Sequence, residues 1–151
     1  MKQATLQVTS FAFDQNAPIP VTYTCDGDNI NPPLRIENIP DTTACMALIM
    51  EDPDAPGGTF THWMVWDMPP RANIEENSKP DGVTGTNDFD KHGYQGPCPP
   101  SGEEHRYFFK VYALDSELNL DENSTKEAVE VLLKDKTIGY GELMGTYRRT
   151  S

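Results

Sequence analysis

"ACMALIMED" (residues 44–52) and "FTHWMVWDM" (residues 60–68) stand on either side of "PDAPGGT", and these three pieces decide the fold. From Ala44 to Met50 nearly every side chain is apolar, which predicts a central strand covered on both faces. The second run is strand-like and aromatic; alternation puts Phe60, His62, Met64 and Trp66 on one face and Thr61, Trp63, Val65 and Asp67 on the other. Between them, Pro53 and Pro56 restrict the backbone around Asp54 and remove donors, so the carboxylates of Asp52 and Asp54 are held in place. Asp52 continues the parity of Met46, Leu48 and Met50 and is expected to turn inward at the strand end. A carboxylate buried there needs a partner, and the histidines are the candidates.

Outward from this pair, "ATLQVTSFAF", "VTYTC" and "RYFFKVYALD" are further strand candidates, separated by turns that draw on thirteen prolines and eleven glycines. In "HRYFFKVYAL" the alternation groups His105, Tyr107, Phe109, Val111 and Ala113 toward the interior and points Arg106 and Lys110 the other way. One helix is signalled by "STKEAVEVLLKD": Ser124 as cap, Glu127 three residues on, and Ala128, Val131 and Leu132 as the buried stripe. Residues 71–93 are polar and weakly patterned, and read as a surface excursion with a turn or short helix. The fold class expected is mainly β, an antiparallel β-sandwich with one or two peripheral helices, formed by a single domain spanning 1–151.

Twenty-four acidic side chains against twelve basic ones give a net charge of -12, which opposes broad contact with nucleic acid or an anionic membrane surface. The opening residues lack a secretory pattern and no apolar run is long enough to span a bilayer, so a cytoplasmic protein without stable membrane insertion is expected. Cys25, Cys45 and Cys98 are widely spaced and odd in number, which predicts neither a disulfide framework nor a metal site. Cys45 reads as a small core residue, and Cys98, between prolines, as one near a surface or pocket.

Taken in order, "CDGDNINPPL", "DPDAPGGTFTHWMVW", "GYQGPCPPSGEEHRYFFKVYALD" and "GELMGTYRR" resemble the phosphatidylethanolamine-binding protein family, in particular its compact prokaryotic Raf-kinase-inhibitor-like branch. The resemblance spans nearly the whole chain, and its ordered motifs are far more specific than any single one. It implies a β-sandwich with an anion pocket at one end. Carried over motif by motif, Asp52, Asp54, His62, Tyr94, Gly96, Pro97, His105 and Tyr107 are the ligand-binding residues. It also implies a homodimer and, with no C-terminal helix after "GTYRR", a cleft that is open or covered by a second subunit. Glu104, just before His105, adds negative charge near the site and is expected either to narrow the choice of ligand or to keep that imidazole charged.

The leading functional expectation is a non-enzymatic protein that binds a small anion or a phosphorylated headgroup, with no cofactor; the resemblance further implies a regulator or inhibitor of a protein partner such as a kinase or protease, although a pocket does not name a target. In this scheme Asp52 and Asp54 orient and charge His62 and His105, whose N–H groups hold the anion together with loop amides near Gly96. The alternative is a hydrolase using an Asp/His pair on an ester or phosphoester, although no nucleophile elbow or Gly-rich phosphate loop accompanies the pair. A metal site is the weakest reading, because no close His pair is present.

Overall fold

The computed structural model describes residues 3–150. All eight residues of β4 (Cys45–Asp52) are buried, because this strand lies inside the larger of two sheets and has a layer on each side. The larger sheet runs β1 (Ala4–Thr5), β9 (Thr137–Arg148), β8 (Glu104–Leu114), β4, β5 (Phe60–Met68) and β7 (Val83–Thr84). Its strands pair antiparallel except for β1 with β9. The smaller sheet contains β2 (Gln7–Thr9), β3 (Leu34–Glu37) and β6 (Asn73–Ile74), all antiparallel.

Parity sorts β4 between two cores. Met46, Leu48 and Met50 join Val8, Leu34, Ile36 and Ile74 of the small sheet in the main core. Ala47 and Ile49 face the opposite way, with Met64, Trp66 and Leu114, beneath Val129 and Leu133 of α1 (Lys126–Lys136), the one α-helix among the described residues. Each large side chain buried in these layers contributes about 1.5–3 kcal/mol. The sandwich and its peripheral helix are thus as expected, apart from one parallel strand pair.

Several local expectations need correction. Val21–Tyr23, read as strand, is a 3₁₀ turn, as suits a segment entered from Pro18 and Pro20. The 71–93 excursion carries two short strands, β6 and β7, rather than a helix. β9, with twelve residues the longest strand, carries little hydrophobic signal because glycines occupy its core-facing positions 139, 141 and 145. A Cβ on Gly141 would lie 2.2 Å from the Leu6 carbonyl oxygen, and one on Gly145 would lie 2.6 Å from Ile19. The N-terminal segment crosses β9 too closely for side chains at these positions.

The helix begins one residue later than the capping-box pattern places it. Thr125 is the cap, and its hydroxyl accepts from the Ala128 amide at 3.1 Å. The buried stripe rotates accordingly to Val129 and Leu133, leaving Val131 68% exposed. Thr125→Ala should lower stability by about 1 kcal/mol, whereas Ser124→Ala should change it by no more than a few tenths. Urea denaturation of the two variants checks this, and the reverse order would restore Ser124 as the cap.

Candidate functional site

Where β4 ends, β5 begins and β8 begins, three strand termini meet. The pairing of β4 with β5 slips here: Met50 faces Trp63, but Glu51 faces Thr61. His62 is the extra residue of the resulting bulge, and a bulge re-aims the side chain it inserts. The imidazole therefore leaves the Met64/Trp66 face to which strict alternation assigns it. It lies 5.1 Å from Phe60 and 5.4 Å from Tyr107, measured between ring centroids.

A cleft of about 320 Å³ opens at this junction. Asp52, His62, His105 and Tyr107 supply its polar lining, and Phe60, Phe89, Pro56 and the Cys98–Pro100 segment supply its apolar walls. Phe89 is positioned by its neighbour Asp88, whose carboxylate accepts from the Thr61 amide at 2.7 Å and whose own amide donates to the Thr61 carbonyl at 2.9 Å. Its ring meets Phe60 edge-on at 4.8 Å.

Asp52 is 3% exposed, turned inward as its parity predicts. Its Oδ2 lies 2.6 Å from His105 Nδ1, while its Oδ1 accepts from the Asp54 amide at 2.8 Å and shapes the loop. His105 Nε2 lies 2.9 Å from Glu103 Oε1. A carboxylate on each ring nitrogen calls for an N–H on each, so this ring is an imidazolium. Burial alone would lower its pKa, but the bonds to Glu103 and Asp52 outweigh burial and raise it. The acidic neighbour that matters is Glu103, not Glu104, which faces the other way and pairs loosely with Arg148 at 3.8 Å.

His62 differs. Its Nδ1 lies 2.8 Å from the Gln95 carbonyl oxygen, which can only accept, so Nδ1 carries the proton. Burial holds its pKa below the ordinary histidine value, partly offset by the Gln95 bond and the charge of Asp52. At neutral pH the ring is uncharged and Nε2 is a lone pair, not an N–H donor. Tyr107 is fully buried; its hydroxyl meets no acceptor in full hydrogen-bond geometry among the described residues, and the Asp52 carboxylate is the acceptor it lies toward. Burial, followed by the charge of Asp52, pushes its pKa up, so it stays a phenol and a donor.

The remaining expected residues lie outside this constellation. Asp54 points away from the cleft, and Arg106 holds it with Nε at 2.9 Å and Nη2 at 2.8 Å. The guanidinium lowers its pKa to about 2. Asp54 therefore fastens the loop to β8, with His105 near enough to feel its charge but without a hydrogen bond to either histidine. Tyr94 donates to the Tyr23 carbonyl at 2.7 Å and packs edge-on against Trp63; it lines a separate cavity of about 480 Å³. The Gly96 amide is already bound to Asn29 Oδ1 at 2.8 Å, and a Cβ there would sit 2.0 Å from the Tyr23 oxygen. Its glycine allows loop and turn to touch, and its amide is not free for an anion. The Pro97 carbonyl accepts from the Cys25 amide at 3.1 Å.

That same contact closes with a disulfide, Cys25–Cys98, with Cα atoms 5.4 Å apart, which corrects the expectation of unpaired cysteines. Cys45 stays free and buried, as expected. Such a bond persists chiefly in oxidising compartments and in hyperthermophiles, so it lends no support to a cytoplasmic location. Among the described residues no helix is long and apolar enough to cross a membrane, and no cluster of three or more His, Cys, Asp or Glu is arranged to hold a metal ion.

The chain is thus a β-sandwich with a cleft at one end, lined by an Asp–His pair, a second histidine and a tyrosine. The phosphatidylethanolamine-binding protein family profile matches residues 9–148, and the chain belongs to that family. A UPF0098 protein of Pyrococcus horikoshii is 45% identical, the alignment covering 98% of this chain and 79% of the relative. One from Methanothermobacter thermautotrophicus is 44% identical, covering 95% and 99%. The crystal structure of a Chlamydia trachomatis protein, CT736, described as a homolog of phosphatidylethanolamine-binding proteins, superposes with a TM-score of 0.91 at 38% identity, covering 97% of this chain and 99% of that one. Escherichia coli YbcL, described as a member of the mammalian family, gives 0.88 at 31% identity, covering 95% and 98%.

Proposed function

We propose that the cleft binds a compact oxyanion, either phosphate or the phosphoryl or carboxyl group of a small molecule or partner protein, and that the chain works as a binding protein. The observation that carries this reading is the Tyr107 hydroxyl, a fully buried donor not held in a well-formed hydrogen bond, beside the charged ring of His105 in a cleft with apolar walls. A buried, unpaired donor is costly unless something fills it, and an oxyanion accepts from it and is attracted to the imidazolium. Apolar walls strengthen both interactions by excluding water. Against the net charge of -12, affinity for free phosphate is expected to be weak.

His62 sets the pH dependence. A bound anion favours its charged form, whereas in the free cleft burial favours the neutral one. Binding therefore takes up a proton at Nε2, and affinity for an anion of fixed charge, such as a carboxylate, rises as pH falls from 8 toward 5. Calorimetric titration with phosphate and with phosphoethanolamine tests the reading. Tyr107→Phe should weaken binding about ten- to a hundredfold, as expected for a hydrogen bond to a charged acceptor, and His62→Ala should leave only the pH dependence that comes from protonation of the ligand itself. Wild-type affinity in both variants would dismiss the assignment. The neutral Nε2 of His62 also suits a general base, so turnover of phosphate or carboxylate esters by the wild type, lost in His62→Ala, would establish the hydrolase instead.

A further inference from the structure

We propose that Glu103 is a built-in occupant of the anion seat: its carboxylate caps His105 Nε2, and an incoming anion binds by displacing it. This rests on reading the cleft as an anion site. The two partners of His105 differ in kind. Asp52 is 4% exposed at its side chain, as is His105, and fixes the ring from within, whereas the Glu103 side chain is 54% exposed. The outer bond is therefore the one that can open without disturbing the core.

The backbone beneath Glu103 is anchored independently of that bond. The Glu103 amide donates to the Pro100 carbonyl at 3.1 Å and the Gly102 amide to the Arg149 carbonyl at 2.6 Å, while Arg148 Nη1 donates to the Gly102 carbonyl at 2.5 Å. Gly102 takes a positive φ of 82°, the left-handed conformation that lets the turn close just before β8. The Glu103 side chain can thus rotate away while the turn, and the Pro99–Pro100 wall that leads into it, stay in place.

A tethered carboxylate competes at high effective concentration. With Glu103 in place, Asp52 and Glu103 together outweigh the one charge of His105, and His62 is neutral, so the resting cleft is net negative. An external anion succeeds by gaining what Glu103 does not have, the Tyr107 hydroxyl and a proton on His62. The titratable groups around His105 are Asp52 from β4, Asp54 from the loop that follows it, Glu103 from its own turn, Tyr147 at the paired position of β9, and Tyr107 and His62 from the cleft.

The test is phosphate titration of the wild type, Glu103→Ala, Glu103→Gln and Glu104→Gln, by calorimetry and by NMR of the His105 ring. At pH 5.5 the Asp52 bond keeps His105 charged in every variant, so affinity reads displacement alone. Both Glu103 variants should bind phosphate more tightly than the wild type by roughly 1.5- to fivefold, the range for a half-exposed ion pair. Glu104→Gln removes the same charge from the opposite face of the strand and should stay near wild type. At pH 8 the gain should shrink, since without Glu103 the ring loses its proton sooner. Wild-type binding with unchanged or weaker binding in the Glu103 variants would overturn the proposal and leave Glu103 as a positioning residue that keeps His105 charged. An equal gain in Glu104→Gln would also overturn it, in favour of a general charge effect. Absence of phosphate binding in all four proteins would remove the anion-site reading and this proposal together.

Discussion

Cys98→Ser should lower the unfolding free energy by about 4 kcal/mol, the chain-entropy value for a cross-link of this length, and the melting temperature by roughly 10 °C for a chain of this size. The bond joins positions separated by 73 residues, so it closes nearly half of the chain into one loop and removes many unfolded conformations. It also pins the turn at Cys25 against the loop that forms one wall of the cleft, where Gly96, Pro97 and Tyr94 already make contacts with residues 23–29. Denaturant titration should show a lower midpoint together with a steeper slope, because an unlinked unfolded chain exposes more surface. Cys25→Ser should behave the same, and reductant should bring the wild type to the midpoint of the variants without moving theirs. Equal stability of wild type and both variants, with no response to reductant, would show that the two sulfurs are not bonded in solution.

That cross-link also marks a boundary of what local pattern reveals. β4 is legible because seven successive apolar residues, Ala44 to Met50, have no reading as a half-exposed strand. The interior face of β8 is legible because alternation runs unbroken from His105 to Ala113. The inward turn of Asp52 follows from the same rule, and it leads directly to His105. His62 escapes that rule because a bulge depends on how two strands slip against each other, and neither strand encodes the slip alone. β9 escapes because the feature that defines it, close passage of the N-terminal segment over Gly141 and Gly145, appears in sequence only as missing side chains. The pairing of Cys25 with Cys98 is a long-range contact that spacing cannot assign. Glu103 is a different case: it shares the parity of His105 and Tyr107, whereas Glu104 does not, so alternation carried one residue further upstream already distinguishes them.

Asp52→Ala should lower stability by about 3 kcal/mol near pH 5.5, toward the lower end for breaking a buried ion pair because Glu103 still holds the other ring nitrogen. It removes both the partner of His105 Nδ1 and the acceptor of the Asp54 amide. Asp52→Asn separates the two: its amide oxygen can still accept from Asp54, while its NH₂ faces Nδ1 and forces His105 into the neutral tautomer with the proton on Nε2. The penalty in Asp52→Asn is thus the charge alone, and it should be the smaller of the two. The sign with pH follows from His105. Its folded pKa lies above the ordinary value, so its contribution is fully present below pH about 6.5 and is lost as pH rises through the raised folded value. His62 has the opposite sign in the wild type: its folded pKa is lowered, so its contribution is present above pH about 6.5 and is lost as pH falls through the folded value. Asp52 raises the pKa of both rings, so its removal disfavours protonation of each, and the deficit of either variant should be largest at pH 5–6 and shrink toward pH 9. Denaturant midpoints across that range measure it. A deficit that is flat with pH, or that grows on the alkaline side, would mean that His105 is uncharged in the folded protein and that the cleft lacks the cation on which anion binding depends.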